Sequence, residues 1–289
     1  MNALLLLAAC LITAMTAAVF VRLRPSGLML DHPNDRSLHQ VPTPRSGGLA
    51  IAAGFLPAAV YVFLGTDTPV RLLLAGWLLV FAVSLIDDLR SLPFWARLLV
   101  HVLAALCVVA APGVSQDPLV AGLGIFWIVW GTNLFNFMDG MDGLAGSMAL
   151  VGGFAMAVAL WFAGNSPLAL LSAAAGLAAS GFLGFNWPKA RIFMGDAGSA
   201  SLGFLFSAVS VQAVSDGALP AWLPLLVFLP FIGDATLTLL RRLVQRKPVW
   251  RAHREHLYQV LVLSGWPVQK VLVFELAVMA GCAVIALLA

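Results

Sequence analysis

The sequence predicts an all-α, polytopic integral membrane protein with about ten transmembrane helices. Hydrophobic residues make up 61% of its 289 residues, charged residues make up 10%, and the mean hydropathy is +0.97. Soluble domains contain roughly 45–50% apolar residues, so the composition excludes an ordinary soluble protein. The apolar runs are long enough to cross a hydrocarbon core of about 30 Å as helices, and they lack the alternation that membrane β-strands require.

The apolar runs follow one another along a single membrane domain, 1–289, in which no soluble domain or clear repeat is predicted. We interpret the first run as an uncleaved span, because no Lys or Arg precedes it and the apolar stretch before Cys10 is too short for a signal peptide. The predicted spans lie near 2–21, 47–64, 70–86, 96–112, 119–137, 143–163, 166–183, 199–214, 220–240 and 269–289.

Basic residues are distributed unevenly among the connections between these spans. Fifteen of the 16 Lys and Arg residues fall in or beside the odd-numbered connections, and Arg71 is the exception. By the positive-inside rule, these connections face the cytoplasm and both termini face outward. The predicted inner connections lie near 22–46, 87–95, 138–142, 184–198 and 241–268. Any chemistry is therefore expected at the cytoplasmic face.

Five carboxylates are placed where a predicted span meets the inner face. They would repel one another at the edge of a low-dielectric region unless a cation shares them. Oxygen ligands without a Cys cluster favour Mg²⁺, or alternatively Mn²⁺, over zinc. Because Mg²⁺ usually takes one or two carboxylates together with substrate phosphates, not all five are needed as ligands. They are Asp87, Asp88, Asp139, Asp142 and Asp196.

The spacing of these residues leaves alternatives open. Adjacent helical positions point about 100° apart, so one of Asp87 and Asp88 is expected to meet a metal or phosphate and the other to act as base or orienter. An acidic helix end in water is the structural alternative. Asp196 fits a helix N-cap or a metal ligand, and Phe193 fits a platform for a base ring or an interfacial anchor.

Polar residues recur at every third position of TNLFNFMDGMDGLAG, at Asn133, Asn136, Asp139 and Asp142. On a helix each such step falls about 60° short of a full turn, so the series cannot share a ligand unless the helix breaks. Gly140 and Gly143 are placed for that break. We expect Asn136 and Asp139 on the last helical turn, Asp142 beyond it, and Asn133 in a structural role.

Two further connections carry polar and basic side chains. The segment RRLVQRKPVWRAHREHLYQ (241–259) suits a phosphorylated substrate or anionic lipid, although plain topology signalling explains most of its charge. His253 and His256 would share one face if this loop is helical, with Arg254 between them. Asp234 lies in a predicted span, where a structural contact and a catalytic role are both open. The segment DHPNDRSLHQVPTPRSGGLA (31–50) contributes Arg45.

The motif order resembles that of the polyprenyl-phosphate N-acetylhexosamine-1-phosphate transferases, which include the phospho-N-acetylmuramoyl-pentapeptide transferases. The matching segments are DHPNDRSLHQVPTPRSGG, the Asp87-Asp88 pair, NLFNFMDGMDGLAG, FNWPKARIFMGDAGS and HREHLYQ. The resemblance implies transfer of a sugar 1-phosphate from a UDP-N-acetylhexosamine to undecaprenyl phosphate, with release of UMP and a requirement for Mg²⁺. It also implies an enzyme that is surrounded by membrane lipid. No nucleic acid partner is expected, and whether the protein forms a homodimer is left open.

The resemblance also implies roles for individual residues. Asp87 and Asp88 match the catalytic pair, Asp196 the metal ligand, and Asn136, Asp139 and Asp142 the nucleotide-sugar site. Phe193, Arg45, His253, Arg254 and His256 are further expected substrate-binding residues.

One departure concerns the sugar. The pentapeptide enzymes carry consecutive histidines where this chain has His-Arg-Glu-His, which argues against that substrate. HREHLYQ looks most like members that initiate O-antigen in the bacterial inner membrane, using N-acetylglucosamine or a 6-deoxy sugar such as N-acetylfucosamine.

Two other classes of membrane protein fit the sequence less well. A transporter would bind its substrate nearer the bilayer midplane, whereas these acids cluster at one face. The alcohol phosphotransferases that act on CDP-lipids require an extended Asp motif that this chain lacks.

Overall fold

The computed structural model describes residues 2–23, 29–31, 42–114, 117–248 and 253–289. Predictions that fall on 32–41 or 249–252 lie outside the described residues. In chain order the elements are α1 (Ala3–Leu23), β1 (Leu30–Asp31), β2 (Thr43–Pro44), α2 (Gly47–Gly65), α3 (Thr68–Arg90), α4 (Phe94–Val109), α5 (Pro118–Phe137), α6 (Leu144–Phe162), α7 (Ser166–Asn186), α8 (Gly195–Ser215), α9 (Trp222–Val227), α10 (Leu229–Val244), α11 (Leu257–Leu263) and α12 (Val268–Leu288).

The predicted all-α membrane fold is confirmed. In the described part of the chain, eight helices are long and apolar enough to cross a membrane, and α4 is a shorter apolar helix. The short strands β1 and β2 pair antiparallel, with Leu30 opposite Pro44 and Asp31 opposite Thr43. They form a small hairpin beside the start of α2.

The ninth predicted span, 220–240, is not one continuous helix. It is divided into α9 and α10 at Phe228, and α10 continues to Val244. Pro230 explains the break, because proline has no N–H to donate to the carbonyl of the preceding turn. The Phe228 ring fills the space beside the break and packs against Phe135 and Phe206, with ring centroids 6.1 and 5.4 Å apart respectively.

The helix α8 is the centre of the bundle. In its apolar stretch 89% of residues are buried, compared with 17% in that of α1. Small residues allow the close packing that membrane helices need. At the start of α2, for example, a Cβ on Gly48 would overlap the backbone of Gly198. The first turns of α2 and α8 are thereby fixed side by side.

Several connections are shorter than the sequence predicted. The predicted connection 87–95 shrinks to 91–93, because α3 continues through Asp87 and Asp88 to Arg90. The predicted connection 184–198 shrinks to 187–194, because α7 ends at Asn186 and α8 starts at Gly195. The longer connection 241–268 contains α11. The acids therefore lie on or next to helix ends, where the backbone fixes their directions.

Candidate active site

The acidic pair lies on the last turn of α3. The helix ends because Ser91 adopts a left-handed conformation, with φ 50°, and donates its N–H to the Asp87 carbonyl at 2.9 Å. Pro93 follows, and α4 starts at Phe94. This tight turn brings the first turn of α4 back beside the acids. The carboxylates of Asp87 and Asp88 point to different partners, as adjacent helical positions require.

Asp88 caps the start of α8. Its Oδ1 accepts the backbone N–H of Asp196 at 3.0 Å, and its Oδ2 accepts that of Ala197 at 2.9 Å. These are N–H groups that have no partner within the helix itself. The alternative prediction of Asp196 as the N-cap is wrong, since Asp196 lies inside the first turn and Asp88 supplies the cap from another helix.

Gly195 makes this approach feasible. Its φ is +70°, and a Cβ there would lie 2.8 Å from Asp88 Oδ2 and 2.9 Å from the Arg45 carbonyl oxygen. The glycine in FMGDAGS is therefore required by both its backbone angle and its neighbours.

Asp87 and Asp196 converge on a single cationic nitrogen. Arg97 Nη1, on the first turn of α4, donates to Asp87 Oδ2 at 2.7 Å and to Asp196 Oδ2 at 2.8 Å. Asp87 Oδ1 also accepts the backbone N–H of Leu92. The side chains of Asp196 and Arg97 are 30% and 32% exposed, compared with 10% for Asp87. The cluster is therefore open to solvent from the side of Asp196 and Arg97.

The contacts of these carboxylates indicate which of them could bind the expected magnesium ion. Among the described residues, no group of three or more His, Cys, Asp or Glu side chains is close enough to form a metal site by itself. Asp88 is less available as a ligand than Asp87, because backbone N–H groups of α8 hold both its oxygens in place. Asp87 and Asp196 do fit, since two carboxylate oxygens directed at one cation match the way Mg²⁺ binds two carboxylates and substrate phosphates.

The stretch TNLFNFMDGMDGLAG ends a helix and forms a turn, as predicted. Asn136 is on the last turn of α5 and donates from Nδ2 to Ser199 Oγ on α8 at 3.1 Å. Asn133 is structural, since its Nδ2 donates to the Val129 carbonyl at 2.7 Å. The prediction for Asp139 was wrong by two residues, because α5 ends at Phe137 and Asp139 lies in the turn.

Asp139, in this turn, has a strongly raised pKa. Burial raises its pKa well above the usual range, and the nearby carboxylates of Asp196, Asp88 and Asp142 raise it further. Asp139 is therefore within electrostatic reach of acids on α3 and α8. Arg97 and backbone N–H groups neutralise part of the charge of those acids.

Asp142 and the neighbouring turn are fastened to the connection 187–194. Asp142 Oδ2 accepts the Ala190 N–H at 2.9 Å. Asn186, at the end of α7, accepts the Gly143 N–H at 2.9 Å and donates to the Ile192 carbonyl at 2.8 Å. The two connections therefore form one wall of the site, and Gly143 has φ +79° where the turn enters α6.

Arg45 and Phe193 lie at the junction of β2, α2 and α8. Arg45 donates from Nη2 to the carbonyl oxygen of Asp88 at 2.7 Å. Phe193 donates its N–H to the Pro44 carbonyl at 2.7 Å and accepts the Gly47 N–H at 2.9 Å. The backbone of Phe193 thus joins the hairpin to the start of α2, and its predicted contact with a base ring stays a prediction.

The two histidines of the basic loop lie just before α11. The loop is not helical over 253–256, since α11 begins at Leu257, so the two histidines do not share a helix face. The two imidazole rings are nevertheless close, with His253 and His256 centroids 4.9 Å apart. Burial, with the charges of Arg242 and His256, lowers the pKa of His253 to about 4. His253 is therefore uncharged at neutral pH. Arg254, which lies between the two histidines in the sequence, is exposed.

Two basic side chains of this loop form ion pairs with Glu255. Arg242 Nη1 bonds Glu255 Oε1, and Lys247 Nζ donates to both Glu255 oxygens at 3.1 Å. Arg242 is only 4% exposed. These two residues shape the loop, which leaves less of its charge for a substrate than the sequence suggested.

Sequence reasoning missed Arg97, Ser199 and Asn186. Arg97 contributed only a topology signal, yet a lone arginine one turn into an apolar segment, at the same membrane face as the acids, was an available clue. Ser199 is one turn after Asp196 and thus on the same helical face. Asn186 had no such signal, because its role depends on two connections that meet only in the folded chain.

Comparisons with known proteins agree with this arrangement. Residues 70–214 match the family description of glycosyl transferase family 4, a region that contains Asp87, Asp88, Asp196 and the polar turn 136–142. The "probable undecaprenyl-phosphate N-acetylglucosaminyl 1-phosphate transferase" of Bacillus subtilis (strain 168) is 28% identical over 252 residues, covering 82% of this chain and 70% of that protein.

Two further relatives have related names. The undecaprenyl-phosphate alpha-N-acetylglucosaminyl 1-phosphate transferase of Yersinia pestis is 29% identical over 266 residues, covering 82% of this chain and 70% of that protein. The phospho-N-acetylmuramoyl-pentapeptide-transferase of Staphylococcus saprophyticus is 38% identical over 88 residues, covering 30% of this chain and 27% of that protein. With its acidic pair, polar turn and α8 start all inside the matched region, the chain belongs to glycosyl transferase family 4.

Proposed function

We propose that this protein transfers a sugar 1-phosphate from a UDP-N-acetylhexosamine to undecaprenyl phosphate, giving undecaprenyl-diphosphate-sugar and UMP. The observation that carries the proposal is the convergence of Asp87 and Asp196 on Arg97 at one end of a membrane bundle. Relatives named for N-acetylglucosaminyl 1-phosphate transfer to undecaprenyl phosphate support the substrate class. An anionic donor and an anionic lipid acceptor need clustered charge at a membrane face.

The donor occupies the solvent-open side of the cluster. Asn136, Asp139 and Asp142 lie along the turn after α5 and contact the nucleotide sugar, with Phe193 against the base. Arg45, His253, Arg254 and His256 are the further substrate-binding residues that the family resemblance implies. Among the cationic groups of the described residues, Arg97 pairs directly with the acids. It is suited to the donor diphosphate, because guanidinium groups bind phosphate oxygens through two parallel hydrogen bonds.

Asp87 is the member of the acidic pair that meets the acceptor. Asp88 has both oxygens engaged by the first turn of α8, so it positions α8 and Asp196. Asp87 Oδ2 is instead paired with the side chain of Arg97, which can move to another partner. It can therefore bind or deprotonate the lipid phosphate once Arg97 turns toward the donor.

The residues present fit a magnesium ion at Asp196 and Asp87. When bound there, Mg²⁺ would neutralise charge on the donor diphosphate, which is the usual contribution of a metal to phosphoryl transfer. Arg97 holds those same oxygens in the structure described, and so keeps the two carboxylates together.

The reaction is a single displacement at the β-phosphorus of the donor. An oxygen of the lipid phosphate forms a bond to the β-phosphorus of the donor, and the bond from that phosphorus to the bridging oxygen breaks. The electron pair leaves with UMP. A two-step route through an aspartyl-phosphate on Asp87 is the competing course.

The product is the first lipid-linked sugar of a cell-surface polysaccharide such as O-antigen, made at the cytoplasmic face of the bacterial inner membrane. The names of the relatives favour N-acetylglucosamine over a 6-deoxy sugar as the donor sugar. A transporter with an acidic ion site is the alternative. Here the acids occupy one end of the bundle rather than its middle, which supports the enzyme.

An assay with purified protein in detergent tests the proposal. Undecaprenyl phosphate and Mg²⁺ are supplied with a panel of UDP-N-acetylhexosamines, with EDTA in a parallel arm, and UMP release is scored. We expect release that needs the lipid, the metal and Asp196. Asp67→Asn removes the same charge at an exposed position at the start of α3 and is expected to leave the activity unchanged. No release with any sugar would contradict the proposal.

A further inference from the structure

Asp234 on α10 is a buried acceptor that joins α10 to the start of α11. Its side chain is 6% exposed. Oδ1 accepts the Leu257 N–H at 2.9 Å and the Thr238 hydroxyl at 3.1 Å, and Oδ2 accepts the Tyr258 N–H at 3.3 Å. This single carboxylate therefore holds the start of α11 against α10. Buried carboxylates need such partners, because an unpaired charge there is costly.

The same carboxylate also holds the ring of His256. Nδ1 of His256 lies 3.2 Å from Asp234 Oδ1, and the His256 side chain is only 4% exposed. Because a carboxylate accepts hydrogen bonds, Nδ1 carries the proton in this pair. Nε2 is then the ring nitrogen left for a substrate. An acid that fixes the tautomer and direction of a histidine in this way controls what the other nitrogen can do.

A row of rings leads from this pair to the polar turn. The His253 and His256 centroids are 4.9 Å apart, and those of His256 and Tyr258 are 5.9 Å apart with an interplanar angle of 14°. Tyr258 Oη donates to the Phe137 carbonyl at 3.3 Å. A Cβ on Gly140 would overlap this hydroxyl. The segment that Asp234 holds is therefore in direct contact with the turn that carries Asp139.

We propose that Asp234 is a positioning residue for the transfer reaction, acting through His256, whose ring it orients toward the donor diphosphate. The inference rests on the proposed function, since it needs a phosphate-bearing substrate at this end of the bundle. A role confined to capping α11 is the competing explanation. The two differ in whether the effect of Asp234 depends on the presence of His256.

A double-mutant cycle separates these explanations. Asp234→Asn keeps the shape and one acceptor oxygen but removes the charge. His256→Asn retains a donor near the position of Nδ1 and removes Nε2. Each variant and the double variant are purified as full chains, and kcat and KM for the UDP-sugar are measured together with the thermal midpoint. Thr238→Val is the matched control, because it removes another partner of Asp234 without touching His256.

We expect each single substitution to lower kcat/KM about 10- to 100-fold, the range for losing one charge-assisted hydrogen bond. The double variant should be no worse than His256→Asn alone. Thr238→Val should keep the wild-type kcat/KM. If Asp234→Asn does not fold, Asp234→Glu replaces it, since this variant keeps the charge and displaces it by one methylene. Its loss should likewise vanish in the His256→Asn background.

Three outcomes would overturn the inference while the transferase activity itself stands. They are full activity in Asp234→Asn, full activity in His256→Asn, or an Asp234 effect of equal size with and without His256. The last of these is the result that a simple cap gives. Failure of the proposed function looks different, since the wild-type chain would then release no UMP, and the inference would fall with it.

Discussion

The Asp88 carboxylate accepts the backbone N–H of Asp196 at 3.0 Å. One member of the acidic pair thus fixes the start of the central helix α8, whereas its neighbour Asp87 meets Asp196 through the side chain of Arg97. Two adjacent acids that look equivalent in the sequence therefore have different partners. The roles proposed for the site depend on this division.

Separate substitutions of Asp88 and Asp87 should affect different properties, namely stability for Asp88 and activity for Asp87. Asp88→Asn replaces one accepting oxygen with an NH₂ group that opposes a backbone N–H, and should lower the free energy of unfolding by about 1–2 kcal/mol. Asp87→Asn should change stability less and lower kcat about 100-fold or more, the lower range for a lost general base. Thermal unfolding in detergent and UMP release measure the two effects. Equal losses of stability in both variants would contradict the division.

Arg97 should be required for activity. Arg97→Gln removes the guanidinium that joins Asp87 to Asp196 and that is suited to the donor diphosphate, and should lower kcat/KM about 10-fold or more. Arg97→Lys should keep part of the activity, because it preserves the charge without the fork geometry. Arg71→Gln is the control, since Arg71 donates to the Phe63 carbonyl near the opposite end of α3. Wild-type rates for Arg97→Gln would show that the cluster is not the reaction centre.

Gly195 and Gly217 form a matched pair. Both have φ +70°, but a Cβ at Gly217 meets nothing within 4 Å, whereas one at Gly195 would press on Asp88 Oδ2. Both Ala variants should lose about 1 kcal/mol of stability from the strained backbone. Only Gly195→Ala should also lose activity, as measured by UMP release. Equal activity in the two variants would show that activity does not need the close contact between Asp88 and the backbone at Gly195.

His253 should make stability depend on pH. In the unfolded chain its imidazole has the ordinary histidine pKa of about 6.5, whereas in the folded chain burial and the charges of Arg242 and His256 lower that pKa to about 4. Protonation thus favours the unfolded chain, so the His253 contribution is complete above about pH 6.5 and is lost as the pH falls toward about 4. Thermal midpoints measured from about pH 7 down to about pH 4.5 should fall less in His253→Gln than in the wild type. Parallel curves would refute this.

The membrane fold could be predicted from composition and run length, because lipid requires continuous apolar helices. The break at Phe228 could not be placed, although Pro230 was visible, since proline is tolerated in many membrane helices. The extension of α3 through Asp87 and Asp88 was missed for a related reason. Hydropathy reports where a helix leaves the apolar region, and the helix itself continues until Ser91 and Pro93 stop it.

The acids of the site were predictable by motif, but their partners were not. Asp88 and Asp196 are 108 residues apart, and no local pattern indicates that one caps the helix of the other. Arg97 was visible as a charge without an assigned partner. The two histidines lie close together although α11 begins only at Leu257, because Asp234 holds His256 from α10.

A phosphorus label tests the central claim most directly. Donor UDP-N-acetylglucosamine labelled with ³²P at the β-phosphate is incubated with the purified protein, undecaprenyl phosphate and Mg²⁺, beside donor labelled at the α-phosphate. Sugar 1-phosphate transfer predicts that the β-label enters the lipid extract and the α-label stays in aqueous UMP, and that Asp196→Asn abolishes the transfer while Asp67→Asn does not. A β-label that remains in the aqueous phase, or that reaches the lipid equally well with Asp196→Asn, would contradict this mechanism.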